Sequence, residues 1–263
     1  MTFEINQLSL VRGHRHVLKN VTMSLRAGEL VGVLGANGAG KSSLLAAMAG
    51  ELNESVATGE IRLGGLSIAQ LSAHEQATRR AVLPQQPSLS FELSVQEVIQ
   101  MGAYPFLQAT SSEVQAWSQQ ALLETDLLAH AQSRYTALSG GEQQRVQLAR
   151  VFVQCLAMIH AQNEAYLLLD EPLSSLDPKH QVQFMKGLAQ LVRTQQIGVM
   201  LVLHDLNIAA QYCHRLLLLG GGEIIAQGTP ADVMTPTALK RAFDLDFTVV
   251  PHPLDGNRLL ILT

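Results

Sequence analysis

Two short runs carry residue types that can do phosphate chemistry. The first, Gly35-Ala36-Asn37-Gly38-Ala39-Gly40-Lys41-Ser42, fits the pattern G-x-x-x-x-G-K-[ST]. Its glycines let successive backbone N–H groups converge on a triphosphate. Lys41 adds a point charge for the β- and γ-phosphates, and the Ser42 hydroxyl can ligate Mg²⁺, with Ser43 continuing the same polar turn. The second run is Asp170-Glu171, adjacent acids that follow the apolar Leu167-Leu168-Leu169. Asp170 can sit on or near Mg²⁺ while Glu171, projecting differently, polarises an attacking water. Taken alone, two acids at a strand end are as often solvated turn residues; the phosphate loop in the same chain gives them weight. Phosphoryl transfer depends on positioning and charge neutralisation, so a base, a metal and cationic contacts suffice.

The elements around these runs suit them. Phe3 to Leu10 and Val21 to Leu25 alternate like an antiparallel pair and lead into the apolar run Leu30 to Leu34. The phosphate loop follows, and Ser42 to Ala49 has helix-forming composition, so the order is strand, loop, helix. From about Ser88 to Ala137 charge is sparse and apolar residues such as Val95, Val98 and Ile99 recur at helical spacing, which predicts a helical insertion. Further apolar strands are expected at Ala165 to Leu169 and Val199 to Leu203, the latter ending in His204-Asp205. Continuous apolar strands separated by helices predict a mostly parallel sheet covered on both faces, with ligands at the carboxyl ends of its strands. A short helical pattern is read near Thr237 to Phe243.

Composition excludes several classes. The 263 residues carry 18 Lys+Arg against 22 Asp+Glu, a formal charge of −4, with 47% hydrophobic and 15% charged residues, so a large core can form and disorder is excluded. The most apolar stretch, Leu30 to Gly50, is broken by Lys41 and by glycines, well short of the ~20 apolar residues of a membrane span. Met1 to Asn6 lack a basic cluster before an apolar run, so a cytoplasmic setting is expected. Cys155 and Cys213 lack metal-ligand spacing and read as buried small hydrophobes. Net acidity argues against nucleic acid as a partner.

Leu138-Ser139-Gly140-Gly141-Glu142-Gln143-Gln144 matches the LSGGQ-type signature of ATP-binding cassette (ABC) proteins, and the resemblance extends over essentially the whole chain. It implies an α/β P-loop NTPase fold: a RecA-like core with an N-terminal antiparallel β-subdomain (1–87 and 148–263) and a helical subdomain (88–147) ending in the signature. It implies ATP and Mg²⁺ as ligands, with Ser139, Gly140 and Gly141 of one subunit completing the ATP site of its twin. A helix N-terminus with small residues is a ready anion site, although such a turn alone is more often a simple cap. The resemblance further makes Gln85 the glutamine that reaches Mg²⁺ and the nucleophilic water, with the adjacent Gln86 leaving the register arguable. It makes Asp177, in Ser174-Ser175-Leu176-Asp177, a residue of the dimer interface, and His204 the histidine that contacts the γ-phosphate. The sequence departs from the family at Arg12, where most relatives carry an aromatic residue that stacks on adenine. Either the Arg12 guanidinium plane or His14 or His16 takes that role, or the hairpin tip is merely solvated.

A single cassette with no membrane span, no second cassette and no long heptad tract resembles an importer subunit, which implies a homodimer docked on two transmembrane permease subunits. Gln85 to Phe106 and His204 to Ala210 resemble importers of iron-siderophore, haem and cobalamin type, although His214 stands where relatives often carry an acid. The connection from Val151 to Glu164 is longer than the usual spacing by about two helical turns. With the Arg-Gly-x-Arg hairpin, it resembles the ATPases of bacterial haem (hemin) importers. That implies a site at the cytoplasmic face of the inner membrane and, indirectly, a periplasmic haem-binding protein; an iron-siderophore or cobalamin cargo is the alternative.

Overall fold

The computed structural model describes residues 2–51, 55–85, 89, 92–162 and 164–263. Gln86, the expected boundary at 87–88 with the start of the helical insertion, and Asn163 lie outside them. The chain opens with β1 (Thr2–Arg12) and β2 (Arg15–Arg26), antiparallel and joined across Gly13-His14, with Arg12 opposite Arg15. The alternation changes phase within each strand. Phe3 and Ile5 face inward at odd positions and Leu8 and Leu10 at even ones; Leu18 is even, and Val21, Met23 and Leu25 are odd. Register shifts carry the change, near Gln7 (φ 51°) and Asn20 (φ 49°), because one extra residue keeps the apolar side chains on the buried face.

Next come β3 (Leu30–Leu34), the glycine loop, α1 (Lys41–Met48), β4 (Ser55–Leu63) and β5 (Leu66–Ser67). They are followed by α2 (Ala73–Ala77), β6 (Arg80–Leu83), α3 (Val95–Gln100), α4 (Ser111–Glu124) and α5 (Gly140–Gln162). The second half holds β7 (Ala165–Leu169), α6 (Pro178–Thr194), β8 (Ile197–Val202), α7 (Leu206–Tyr212), β9 (Arg215–Gly220) and β10 (Glu223–Gly228). It closes with α8 (Pro230–Val233), α9 (Pro236–Phe243), β11 (Thr248–His252) and β12 (Asp255–Leu262). One sheet is antiparallel, in the order β2-β1-β4-β5. The other runs β10-β9-β3-β8-β7-β6 and is parallel except for β10. A mixed α/β fold with an antiparallel N-terminal layer is what the sequence predicts; β8 starts two residues before the expected Val199.

The parallel sheet is buried on both faces. Along β7, Ala165, Leu167 and Leu169 enter one core while Tyr166 and Leu168 enter the other, and β3 and β8 divide in the same way. The helical insertion has a third core, built from Val95, Val98, Ile99, Ala121, Leu122 and Tyr135. Helix α5 is the wall between cores: Val146, Ala149 and Val153 face the insertion, while Leu148, Val151, Cys155 and Met158 face the sheet. These two sets are offset around a 3.6-residue helix. The boundary expected at 147–148 falls inside this unbroken helix. The long connection after Val151 is helical too, and its last turn packs on α4 through His160, 3.2 Å from Glu113 and with its ring centroid 5.5 Å from that of Trp117.

Three helix starts share one local device. Ser72, Ser139 and Asp177 precede α2, α5 and α6, and four residues on stand Gln76, Gln143 and Gln181. Each glutamine donates to two carbonyls of the preceding turn: Ile68 and Leu71, Tyr135 and Leu138, Leu173 and Leu176. The amide thereby staples the entering chain to the helix it starts, adding a second donor to the carbonyls of Ile68, Tyr135 and Leu173, which also accept a backbone amide three residues on.

Candidate active site

Four neighbouring parallel strands, in the spatial order β3-β8-β7-β6, deliver the chemical groups from their carboxyl ends. β3 leads into the phosphate loop, β8 to His204, β7 to Asp170 and Glu171, and β6 to Gln85. This is where an open α/β sheet binds ligands, because the loops there gather above the strand ends.

The loop requires glycine at two points. Gly35 has φ 145°, and a Cβ there would lie 2.3 Å from the Leu219 carbonyl oxygen; Gly40 has φ 105°, and a Cβ would lie 2.8 Å from that of Val17. Both positions combine a left-handed backbone with close approach of another strand, which excludes any side chain. Helix α1 starts at Lys41 with no side-chain cap and no acid in its first turn, so its leading N–H groups are free to meet an anion. The Lys41 ammonium folds back over the loop and donates to the carbonyls of Gly35 (2.8 Å) and Ala36 (3.1 Å). Burial pushes its pKa below the ordinary lysine value, opposed by the charges of Glu171 and Asp170.

Asp170 prolongs the pairing of β7 with β6 by donating its amide to the Leu83 carbonyl, which fixes where its side chain emerges. Its Oδ1 accepts from Ser42 Oγ at 3.2 Å. Desolvation raises the Asp170 carboxyl above the usual range, while the Ser42 hydroxyl works against that shift. Glu171 adopts φ 49°, unusual for a side chain of this size. Its Oε1 lies 2.8 Å from His204 Nε2, and Gln85 also hydrogen-bonds the carboxylate. Desolvation, the largest single influence, acts to raise the Glu171 pKa, but the hydrogen bonds to His204 and Gln85 together with the charges of His204 and Lys41 leave the group below its ordinary value, an ionised carboxylate.

Together with the β1–β2 hairpin these groups enclose a cavity of about 630 Å³ lined by Asn37, Gly38, Gly40 to Ser43, Gln85, Glu171 and His204 and, from the hairpin, by Arg12, Arg15 and Val17. Arg15 and Val17 were not among the sequence candidates. Alternation would have found them, since residues two apart on a strand share a face. His14 and His16, the other candidates for the base-stacking role, are not part of the lining. His214 has a structural partner: its Nδ1 accepts the Leu30 amide at 3.0 Å.

The fold does not bring the signature into this cavity. Ser139 caps α5, its hydroxyl and amide both donating to Glu142 (2.6 and 2.8 Å), and this pair of bonds holds the Glu142 carboxyl below its usual range. Gly140 has nothing within 4 Å of where a Cβ would stand, while a Cβ at Gly141 would lie 2.9 Å from the Ser175 carbonyl. Asp177 caps α6 by accepting the His180 amide at 3.0 Å, and it too lies outside the cavity lining. Among the described residues no group of three His, Cys, Asp or Glu side chains could hold a metal. The cavity lining instead offers hard oxygen donors in the Ser42 hydroxyl and the Gln85 amide; the Asp170 carboxylate, a sequence candidate, is buried outside that lining and reaches it through Ser42.

Comparison with known proteins agrees with this geometry. Residues 18–174 match the family model described as ABC transporter. The hemin import ATP-binding protein HmuV of Bordetella pertussis is 47% identical over 262 residues, covering 100% of this chain and 99% of that protein; HmuV of Bordetella avium is 45% identical with the same coverage. A solved ATP-binding subunit of an ABC transporter superposes with a TM-score of 0.77 at 26% identity, covering 89% of this chain and 92% of the other. With a family model matched over more than half of its length and relatives matched from end to end, this chain belongs to the ABC transporter family as one of its ATP-binding cassettes.

Proposed function

We propose that the chain is the ATP-hydrolysing subunit that energises haem import across the bacterial inner membrane. It works as a homodimer on two transmembrane permease subunits, with a periplasmic haem-binding protein delivering the cargo. The observation that carries the cargo is the end-to-end similarity to proteins named for hemin import. Twin cassettes are supported by the distribution of groups: one chain builds a phosphate cavity, yet its signature turn is not part of that cavity's lining. Two copies related by symmetry place Ser139, Gly140 and Gly141 of each over the phosphates held by the other.

In this reading the amides of Gly35 to Ser43 and the Lys41 ammonium bind the triphosphate, and the hairpin residues Arg12, Arg15 and Val17 hold the base. Ser42 and Asp170, with Gln85, suit Mg²⁺, which when bound would neutralise charge on the β- and γ-phosphate oxygens. Glu171 takes a proton from the attacking water as that oxygen bonds to the γ-phosphorus and the bond to the ADP oxygen breaks. His204 and Gln85 orient the carboxylate that does so. Asp177 lies at the twin interface beside the signature.

The helical unit, residues 88–147, carries the movement to the permease. A cleft of about 500 Å³ lies between α2 (His74, Thr78), Pro105 to Ala109 and the last turns of α5, with Leu107 beside it 84% exposed. It adjoins the helical unit that follows Gln85, and the extra length of α5 helps to build it; both favour it as the seat of the permease's cytoplasmic loops. No helix among the described residues is long and apolar enough to cross a membrane, which fits a peripheral subunit. The test is transport in vesicles that hold the chain with its permease and binding protein. ATP-dependent uptake of haem, with neither cobalamin nor a ferric siderophore taken up, is the expected result; uptake of either of those in place of haem would overturn the cargo.

A further inference from the structure

Outside the phosphate cavity, three polar side chains connect the turn after Glu171 to the signature helix. Asp177 Oδ2 lies 2.8 Å from His180 Nδ1, and His180 Nε2 lies 2.8 Å from Arg145 Nη1. A carboxylate can only accept and a guanidinium can only donate, so an imidazole carrying one proton, on Nδ1, satisfies both partners at once. His180 is well packed for this, with its side chain 20% exposed, and Asp126 Oδ2, from the connection after α4, stands 3.9 Å from Nε2. A second contact between the same segments is steric: the Ser175 carbonyl approaches Gly141 so closely that a Cβ there would lie 2.9 Å away. Each turn is also stapled to its own helix, by Gln181 and Gln143.

We propose that His180 is a positioning residue for ATP hydrolysis: it locks Ser174 to Asp177 and Ser139 to Gly141 of one chain into a single preformed surface. This rests on the reading that twin cassettes share each ATP. The physical argument is preorganisation. Two loops that must meet the twin together lose less freedom on docking when they are already joined. His180 does not line the nucleotide cavity, and its hydrogen bonds go to Asp177 and Arg145, neither of which lines it, so it acts through the geometry of the shared site and not on binding within one chain.

The test is a double-mutant cycle on the full-length protein with His180→Ala, Arg145→Met and the pair. Steady-state ATPase is measured beside equilibrium binding of a fluorescent ATP analogue. Each single variant should lower kcat by about 10- to 100-fold, the scale of a displaced catalytic constellation, with analogue affinity within about twofold of wild type. The pair should be no slower than the slower single variant, because both break one chain of contacts. Effects that multiply in the pair, loss of analogue affinity in step with turnover, or wild-type kcat in the singles would each overturn the proposal. Should His180→Ala fail to fold, Arg145→Met, which keeps the Asp177–His180 bond, decides by the same kcat and affinity criteria. Failure of the shared-site reading is seen separately, in the wild type, as turnover per chain that does not change with protein concentration and a Hill coefficient of one for ATP; that result overturns both.

Discussion

Replacing Glu171 by Gln should separate nucleotide binding from turnover. The glutamine keeps the shape of the side chain and an oxygen that can accept from His204, 2.8 Å away in the native structure, but it cannot take a proton from water. A positioned general base contributes about 10²- to 10⁴-fold, so about 3 to 5 kcal/mol returns to the barrier at 1.36 kcal/mol per decade. Binding should move the other way. Glu171 presents negative charge in the cavity where a triphosphate would bind, so removing it leaves affinity unchanged or raises it. Single-turnover hydrolysis of radiolabelled ATP measures the chemical step, a fluorescent analogue measures affinity, and gel filtration with MgATP shows whether the variant accumulates as a closed dimer. Turnover within about fivefold of wild type would show that Glu171 is not a base of the usual strength. The backbone supplies a control. A non-glycine residue in the left-handed region costs about 1–2 kcal/mol. Glu171→Gly relieves that strain from φ 49° while losing the His204 bond and adding chain entropy to the unfolded state. These effects offset, so Tm should stay within about 4 °C of wild type while turnover is lost, marking the strain as retained for chemistry.

Lys41→Ala should weaken MgATP binding by about 10- to 100-fold, the loss of charge-assisted hydrogen bonds worth 1.5–3 kcal/mol; unchanged affinity by calorimetry would contradict the phosphate-loop assignment. Asp170→Asn should stabilise the ligand-free protein at neutral pH, with the gain disappearing in acid. The folded carboxyl is raised by desolvation, so its ionisation destabilises the fold as pH rises through that raised pKa, and below the unfolded value both variants are neutral there. Denaturant titrations at pH 7 and in the acid range of carboxylates check the sign. Gly102→Ala should destabilise by about 1–3 kcal/mol through overpacking, since its Cβ would lie 2.2 Å from the Arg150 carbonyl on α5, and thermal unfolding reads this directly.

Strands β3, β7 and β8 were legible because strands buried on both faces read as unbroken apolar runs. Strand β9 carries the same signal in Leu216 to Leu219, although it was not among the expected strands; β10 and β11 have no fully buried side chain to give such a run, and β12 is placed by a partner distant in sequence, Ile261 exchanging backbone hydrogen bonds with the Asn207 side chain of α7, more than fifty residues away. The connection after Val151 continues helix α5, since its apolar positions extend the face of α5 that packs on the sheet. Arg15 and Val17 carry no motif of their own; the two-residue period of β2 sets them on one face, and the register with β1 places Arg12 opposite Arg15, so all three reach one wall.

The chemical inventory was written in short contiguous motifs. Phosphate binding needs consecutive backbone N–H groups, and a strand end can place Asp170 and Glu171 side by side, so their identities and local roles follow from residues adjacent in sequence. Tertiary structure decided which groups meet. Ser42 reaches Asp170 across 128 positions, and Glu171 meets His204 because β7 and β8 pair in parallel and end together. It also decided that Ser139 and Asp177 stand outside the cavity lining and that Asp177 is linked through His180 to Arg145 of the signature helix. Such relations depend on strand order and helix packing, which arise from burial summed over the whole chain and are not specified by any single run of residues.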